Sequence, residues 1–468
     1  MPNASITQTF SDNIHLTPSN PQSGSITRLS AGVGLRARSG LVHGFLDYSL
    51  SQYLYSGGQQ NNAQNALNAN LETDMVDGRA KLAVVAGITQ SAISAFGAQP
   101  GLGGDRQGNT TELRNLRVMP SFQGPIGTGL RYTSQLSYAI TDARDSNVGD
   151  GSTASANVHL EPTERSRLSW ALDGSHQRTS YKLGRTTTDD RLGATATTQL
   201  DALDLQLLGT AGVELTDLST VQRTSYRTWG LGATWVPSPR TRVAAQYDHR
   251  FYGQSHSLTL EHRTALTTWR LTDSRSLSTA GEQPGAGGLG TAYDLFYAQF
   301  ASAVPDPLKR QDFVNAFLAN RGIGPGQQIG FLRSSASVLD AQEASVAWRD
   351  VRSAAVISFT RASTQRLNTI AGLVGDLANS ATVRQRGVSV NLSHRLTPQS
   401  TINLLAAEQR GQGDLASQRS RQRQFSLQAS TSPTVESSLT VGIRRALYGP
   451  FPTPYGESAI FATCGLRF

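Results

Sequence analysis

Apolar and polar residues alternate with a period of two along most of the chain. In "LDLQLLGTAGVELTD", Leu203, Leu205, Leu207, Ala211, Val213 and Leu215 fall on one face, and Asp204, Gln206, Thr210, Gly212, Glu214 and Thr216 on the other. That period belongs to an extended strand whose two faces meet different surroundings. The same division recurs in "SRLSWALDGSHQ", with Leu168, Trp170 and Leu172 against Ser169, Asp173 and Ser175, and in "SITRLSAGVGLRAR", with Leu29, Ala31, Val33 and Leu35 against Arg28, Ser30, Gly32 and Arg36. In "QFSLQAS", Phe425, Leu427 and Ala429 oppose Gln424, Ser426 and Gln428. The final "SAIFATCGLRF" keeps Ile460, Ala462, Cys464, Leu466 and Phe468 on one face to the last residue. A chain end is normally polar and frayed unless tied down. This one needs somewhere to set an apolar face, and the two candidates are a protein core and a lipid bilayer.

Turn chemistry punctuates the strands and gives the array a direction. Short connections are expected at Ser39-Gly40, Asp77-Gly78, Gly124-Pro125, Glu161-Pro162, Pro237-Ser238-Pro239, Thr397-Pro398 and Ser432-Pro433, each with residues that turns require. Longer loops begin at Gly57, Ser94, Leu367 and Tyr448. Outer-membrane barrels keep short turns in the periplasm and long loops outside, and counting back from a periplasmic C-terminus puts every short turn on one side. The count gives about 22 strands, within 20 to 24, for a closed all-β antiparallel transmembrane barrel formed by residues 1–468. All five tryptophans, Trp170, Trp229, Trp235, Trp269 and Trp348, share the apolar parity. Trp235, Trp269 and Trp348 lie near turn ends, where an interfacial belt would sit.

Residues 277–335 interrupt the rhythm and read as two short helices in an extracellular or lumen-inserted loop. The second has Asp306 as N-cap, Pro307 at the first helical position and Gly322 just beyond its end. Its apolar residues and those of the first helix, Phe296, Phe300, Leu308, Phe313 and Phe317, need burial in the barrel mouth or lumen. They are the candidate gate.

Composition agrees with a barrel. Only 38% of residues are apolar and 16% charged, with 45 glycines in 468 residues, whereas soluble domains carry about 45–50% and about 25%. No apolar run reaches the roughly 18 residues of a spanning helix. The formal charge is +8, and only Lys81, Lys182 and Lys309 among the 42 basic residues are lysines. Outside two strand ends, no basic cluster interleaved with aromatics argues for nucleic-acid binding. A single cysteine excludes disulfides and cysteine metal sites. With no leader preceding Pro2, a removed signal peptide is expected.

Several stretches carry a family likeness. "TQTFSDNIHLTPSN", "LDYSLSQYLYSG", "AISAFGAQ", "DLFYAQFASAVPDPLKRQDFVNAFLANRG" and "GFLRSSASV" occur in this order over most of the chain. The sequence resembles the outer-membrane protein family associated with PEP-CTERM/exosortase systems. Members stand beside exopolysaccharide genes in Gram-negative bacteria, so the resemblance implies an outer-membrane location and a context of polysaccharide export. It implies no catalytic residues.

Enzyme and cofactor chemistry find little support. Gly285, Gly287 and Gly290 match GxGxxG but lie outside any βαβ unit. Of the eight histidines, His256 and His262 share a face without a third ligand, and His249 and Asp248 point to opposite faces. No catalytic residue, metal or cofactor is assigned. The candidate lumen lining is Arg28, Arg36, Asp47, Arg131, Arg167, Asp173, Asp204, Glu214, Arg242, Asp248, Arg270 and Arg444. It reads either as a solvated wall with internal ion pairs or as a path for a hydrophilic polymer. Outward-parity Arg384, Arg386, Arg419, Arg421 and Arg423 lie at strand ends. They are either solvated extensions or partners of lipopolysaccharide phosphates.

The expected function is an outer-membrane conduit for exopolysaccharide. Its rivals are a general diffusion porin and a barrel that anchors surface material without transport. Expected partners are outer-membrane lipid and lipopolysaccharide, the barrel-assembly machinery through the C-terminal strand and Phe468, and a periplasmic polysaccharide-export protein. A siderophore-type transporter is not expected, since strands and loops consume the residues that an N-terminal plug domain would need.

Overall fold

In the computed structural model the strands form one closed antiparallel barrel. The structure describes residues 2–56, 61–99, 108–144, 146–164, 166–279, 291–301, 303–321, 330–367, 374–449 and 454–468. Its strands are β1 (Pro2–Ser11), β2 (Gly24–Arg38), β3 (Val42–Tyr55), β4 (Asn62–Val76), β5 (Ala80–Ala92), β6 (Thr110–Ile126), β7 (Leu130–Ala143), β8 (Gly151–Pro162), β9 (Leu168–Tyr181), β10 (Thr187–Leu200) and β11 (Leu205–Thr216). They continue with β12 (Thr224–Ser238), β13 (Thr241–Arg250), β14 (Gly253–Arg263), β15 (Thr267–Ser278), β16 (Ser337–Arg349), β17 (Ser353–Arg366), β18 (Thr382–Arg395), β19 (Ser400–Gln412), β20 (Arg419–Thr431), β21 (Ser437–Gly449) and β22 (Tyr455–Arg467). Each strand pairs with its sequence neighbours. Closure comes from β1 against β22, in a register running from Asn3 opposite Arg467 to Ser11 opposite Ala459. The Phe468 amide extends that ladder by donating to the Pro2 carbonyl (3.0 Å), which is what ties down the apolar C-terminus.

The alternation sorts side chains between two media. All five tryptophans point outward, with Trp269 51% and Trp348 37% exposed. Ile443, Ile460, Leu192, Leu231, Phe425 and many other large apolar residues stand bare on the same surface. An apolar band of this size is not sustained in water and matches hydrocarbon. The 13 residues of β22, at about 3.3 Å each and a tilt of about 40°, rise about 33 Å, enough to cross a bilayer core of about 30 Å. No described helix is long and apolar enough to cross a membrane.

Turns separate the two ends. Connections from even to odd strands are short; the β4–β5 hairpin has Asp77 and Gly78 at φ 38° and 74°, the left-handed pair that matches strand twist. Most odd-to-even connections are longer, but residues 182–186 between β9 and β10 match the β8–β9 turn in length, and β13 and β14 are joined by Phe251 and Tyr252 alone, so not every short turn lies on one side. The turn expected at Gly124-Pro125 falls inside β6, and the chain reverses at residues 127–129.

The insertion contributes α1 (Thr291–Gln299) and α2 (Pro307–Arg321). A further single turn, α3 (Asp376–Asn379), lies between β17 and β18. Asp306 caps α2 as expected, accepting from the Lys309 amide (3.3 Å). Gly322 and the Gly285–Gly290 stretch lie outside the described residues.

Candidate functional site: the plugged lumen

The insertion leaves and re-enters the barrel at the long-loop end, yet its helices do not stay there. Phe296, Phe300, Val314 and Leu318 form one apolar cluster with Ala347 of β16 and with Ala354 and Val356 of β17. These wall residues adjoin the short turn between β16 and β17. The helices therefore hang inside the lumen and reach its far end. Their position follows from the wall: Ala347 and Ala354 are small residues on the inward parity, leaving room for the Phe296 ring.

Four aromatics interlock within the plug. Phe296 and Phe317 lie 4.8 Å apart, and Phe300 lies 4.7 Å from Phe313 and 5.1 Å from Phe317. Phe296 and Phe300 are fully buried, as expected, but Phe313 is exposed and lines the remaining space beside α2. The Leu308 side chain lies outside the described set.

Polar contacts anchor the plug to the wall. The Arg270 guanidinium donates to Asp294 of α1 (3.1 Å), and Arg263 donates to the Ala298 carbonyl (3.1 Å). At the foot of α2, Arg321 donates to the Val351 carbonyl (3.3 Å), and Ser393 of β18 donates to the Arg321 carbonyl (2.8 Å). Arg349 covers the Phe300 ring at 4.3 Å. The seat is not ideal. Burial, followed by the nearby Arg395 and Arg349 charges, pushes Arg321 below the ordinary arginine range. Gln299, Arg321 and Arg349 also carry buried polar atoms that no described residue bonds.

Beside α2 a cavity of ≈1110 Å³ opens along the inner wall of β19–β22, β1 and β2. Thr7, Thr9, Thr401, Gln428, Ser430, Thr440 and Thr463 supply hydroxyls and amides, and Arg28, Arg321, Arg395 and Arg444 supply positive charge. On the opposite side of the plug, a space of ≈540 Å³ is lined by Arg242, Arg270, Arg310, Glu261 and Asp294.

Most expected lumen residues face inward, but largely as ion pairs. Arg36 bonds Asp47 twice at 2.9 Å, and Arg131 pairs with Glu161. Asp173 lies 2.6 Å from the His159 ring, and Arg444 3.1 Å from Glu457. Asp248 accepts from Gln246 (3.0 Å). Fully buried Glu214 is gripped by Arg250 and Arg191, with Asp189 beside them. The Arg191, Arg250 and Asp189 partners were not singled out in the sequence, although their parity could have revealed them. Two expectations fail. Asp204 caps a 3-10 turn at φ 48°, and Arg167 sits in the turn before β9; in both, alternation was extended past the end of a strand. The expected rim arginines Arg384, Arg386, Arg419, Arg421 and Arg423 do face outward at the long-loop end, on the parity opposite to buried Gln385 and Gln422.

The long-loop end is partly roofed. Phe331 packs with Ala95, Leu377 and Val383, and Leu332 with Leu113 and Ala143. Asp376 of α3 clamps the β5–β6 loop by accepting from Ser94 Oγ (2.8 Å) and the Ala95 amide (2.7 Å). Burial pushes the Asp376 carboxyl above its ordinary value, against those hydrogen bonds. A raised folded-state value means that the clamp is strongest below the ordinary aspartate range of about 4 and weakens as pH rises through the raised value. Amide exchange at Ala95, corrected for intrinsic rates, should therefore slow as pH falls from neutral; Asp376→Asn should abolish this dependence.

Among the described residues no group of three or more histidine, cysteine or acidic side chains could hold a metal. His256 lies 3.6 Å from Asp273, and His262 bonds Thr241 at 2.8 Å.

No family model matches the chain, and no curated protein matches it in sequence. Similar solved structures include the siderophore receptor PirA from Pseudomonas aeruginosa, with 10% identity and TM-score 0.44, covering 100% of this chain and 80% of that one. The FrpB iron transporter from Neisseria meningitidis (F3-3 variant) is similar at 10% identity and TM-score 0.48, covering 100% and 81%. BauA, the ferric preacinetobactin receptor from Acinetobacter baumannii, is similar at 11% identity and TM-score 0.48, covering 100% and 80%.

Proposed function

We propose that the protein is an outer-membrane conduit, closed at rest by its own lumenal helices, through which exopolysaccharide leaves the periplasm. The observation that carries this reading is α1 and α2 seated on the inner wall beside a cavity lined with hydroxyls, amides and arginines. A hydrated sugar chain can exchange water for such partners at little net cost, and the arginines suit a polymer bearing acidic groups. The short turns face the periplasm and the long loops the exterior, so the plug closes the periplasmic mouth. A diffusion porin would keep an open lumen; the seated plug and interlocked outer loops favour a gated path.

Deleting the gene in a host that secretes polymer should abolish secretion and cause polymer to accumulate in the periplasm. Undiminished secretion would remove the export reading.

A further inference from the structure

We infer that the outward face of β17–β20 binds the phosphates of an outer-leaflet glycolipid, lipopolysaccharide, on the barrel exterior. The lower, outward parts of these strands are apolar: Ile357 and Phe359, Val388, Val390 and Leu392, Leu404, and Phe425 and Leu427. Within about two turns of the pleat, the same face becomes basic. Arg361 stands opposite Arg386, Arg386 opposite Arg410, and Arg410 opposite Arg421, a rung of four like charges across four adjacent strands.

Like charges placed directly opposite each other destabilise a sheet, so such a rung requires compensation. The protein provides one acid on this face, Glu408, which accepts from Arg410, from Arg421 (3.2 Å) and from Arg423 (2.8 Å). Arg361, Arg384, Arg386 and Arg419 have no ion pair among the described residues. Elsewhere on the rim unpaired arginines stand singly, as Arg178 and Arg227 do, or are paired: Arg114 bonds Glu112 (2.9 Å), and Arg223 and His176 share Asp190. No further acid among the described residues supplies the missing anions at β17–β20, and a bound ligand would.

The layout selects the source. Cations directly above an apolar wall match a molecule with acyl chains below and phosphates above, and the guanidinium fork suits phosphate. Beside the rung, a groove of ≈900 Å³ bounded by Phe10, Leu404, Phe425, Leu427, Ile443 and Ile460 has Arg445 at its edge. It offers room for an acyl chain. This site lies on the opposite side of the wall from the lumen and does not depend on what the lumen passes.

The test uses the full chain, purified in detergent, with diphosphoryl lipid A as probe and native mass spectrometry as readout. Arg361→Gln with Arg386→Gln should weaken lipid A retention by about 100-fold without destabilising the lipid-free barrel, since neither arginine gives up an ion pair and their mutual repulsion is relieved. Arg384→Gln with Arg419→Gln should act in the same direction. Dephosphorylated lipid A should be retained poorly by the wild type. Equal retention by the variants, equal retention of the dephosphorylated probe, or full competition by phosphatidylglycerol would each overturn the assignment.

Discussion

Removing residues 280–330 should raise single-channel conductance in planar bilayers by at least about tenfold, because barrels of this strand number are wide unless something fills them. The deletion takes away α1 and α2 but leaves all twenty-two ladders and the Phe331–Leu332 contacts that hold the outer loops. The barrel should therefore fold, as heat-modifiable migration on a gel would show. The effect is large because no other described element enters the lower lumen. Unchanged conductance in a folded deletion would mean that the helices do not obstruct the path.

The second large effect should come from a single side chain. Phe296 is fully buried between α2 and the inner wall, and truncating a buried phenylalanine costs about 3–5 kcal/mol. Phe296→Asp adds an unpaired buried carboxylate to that loss. With the apolar cluster on the wall broken, the plug should leave the wall. Conductance should approach that of the deletion with the chain intact, and added protease should cleave between α1 and α2 much faster. Because Phe296 makes no strand ladder, barrel stability should change little. A variant that stays closed while its barrel melts early would place Phe296 in the structural core instead.

Strand number, closure and the direction of each wall residue were legible in the sequence because lipid and water impose a strict period of two. The tryptophans confirmed the outward parity independently. Where that period stops, the sequence no longer sets direction. At Asp204 and Arg167 the alternation runs on into turns, and the Phe251–Tyr252 hairpin resembles a periplasmic turn in length although it lies at the other end. The insertion posed a different problem: its phenylalanines announced a need for burial but not a depth. The depth is set by Ala347, Ala354 and Val356, remote in sequence from α1 and without special pattern. Arg361 and Arg410 were missed because each looks ordinary alone; only the register brings them into one rung.

The most direct measurement is where α2 sits in a native outer-membrane vesicle. In a Cys464→Ala background, spin labels at Ala316→Cys and Val435→Cys report the distance from α2 to the β20–β21 turn, since both residues line the same cavity. Labels at Ala316→Cys and Leu415→Cys report the distance to the β19–β20 loop at the opposite end. A plug seated at the periplasmic mouth predicts the shorter distance for the 316–435 pair; a shorter 316–415 distance would place the helices outside the lumen and contradict the account.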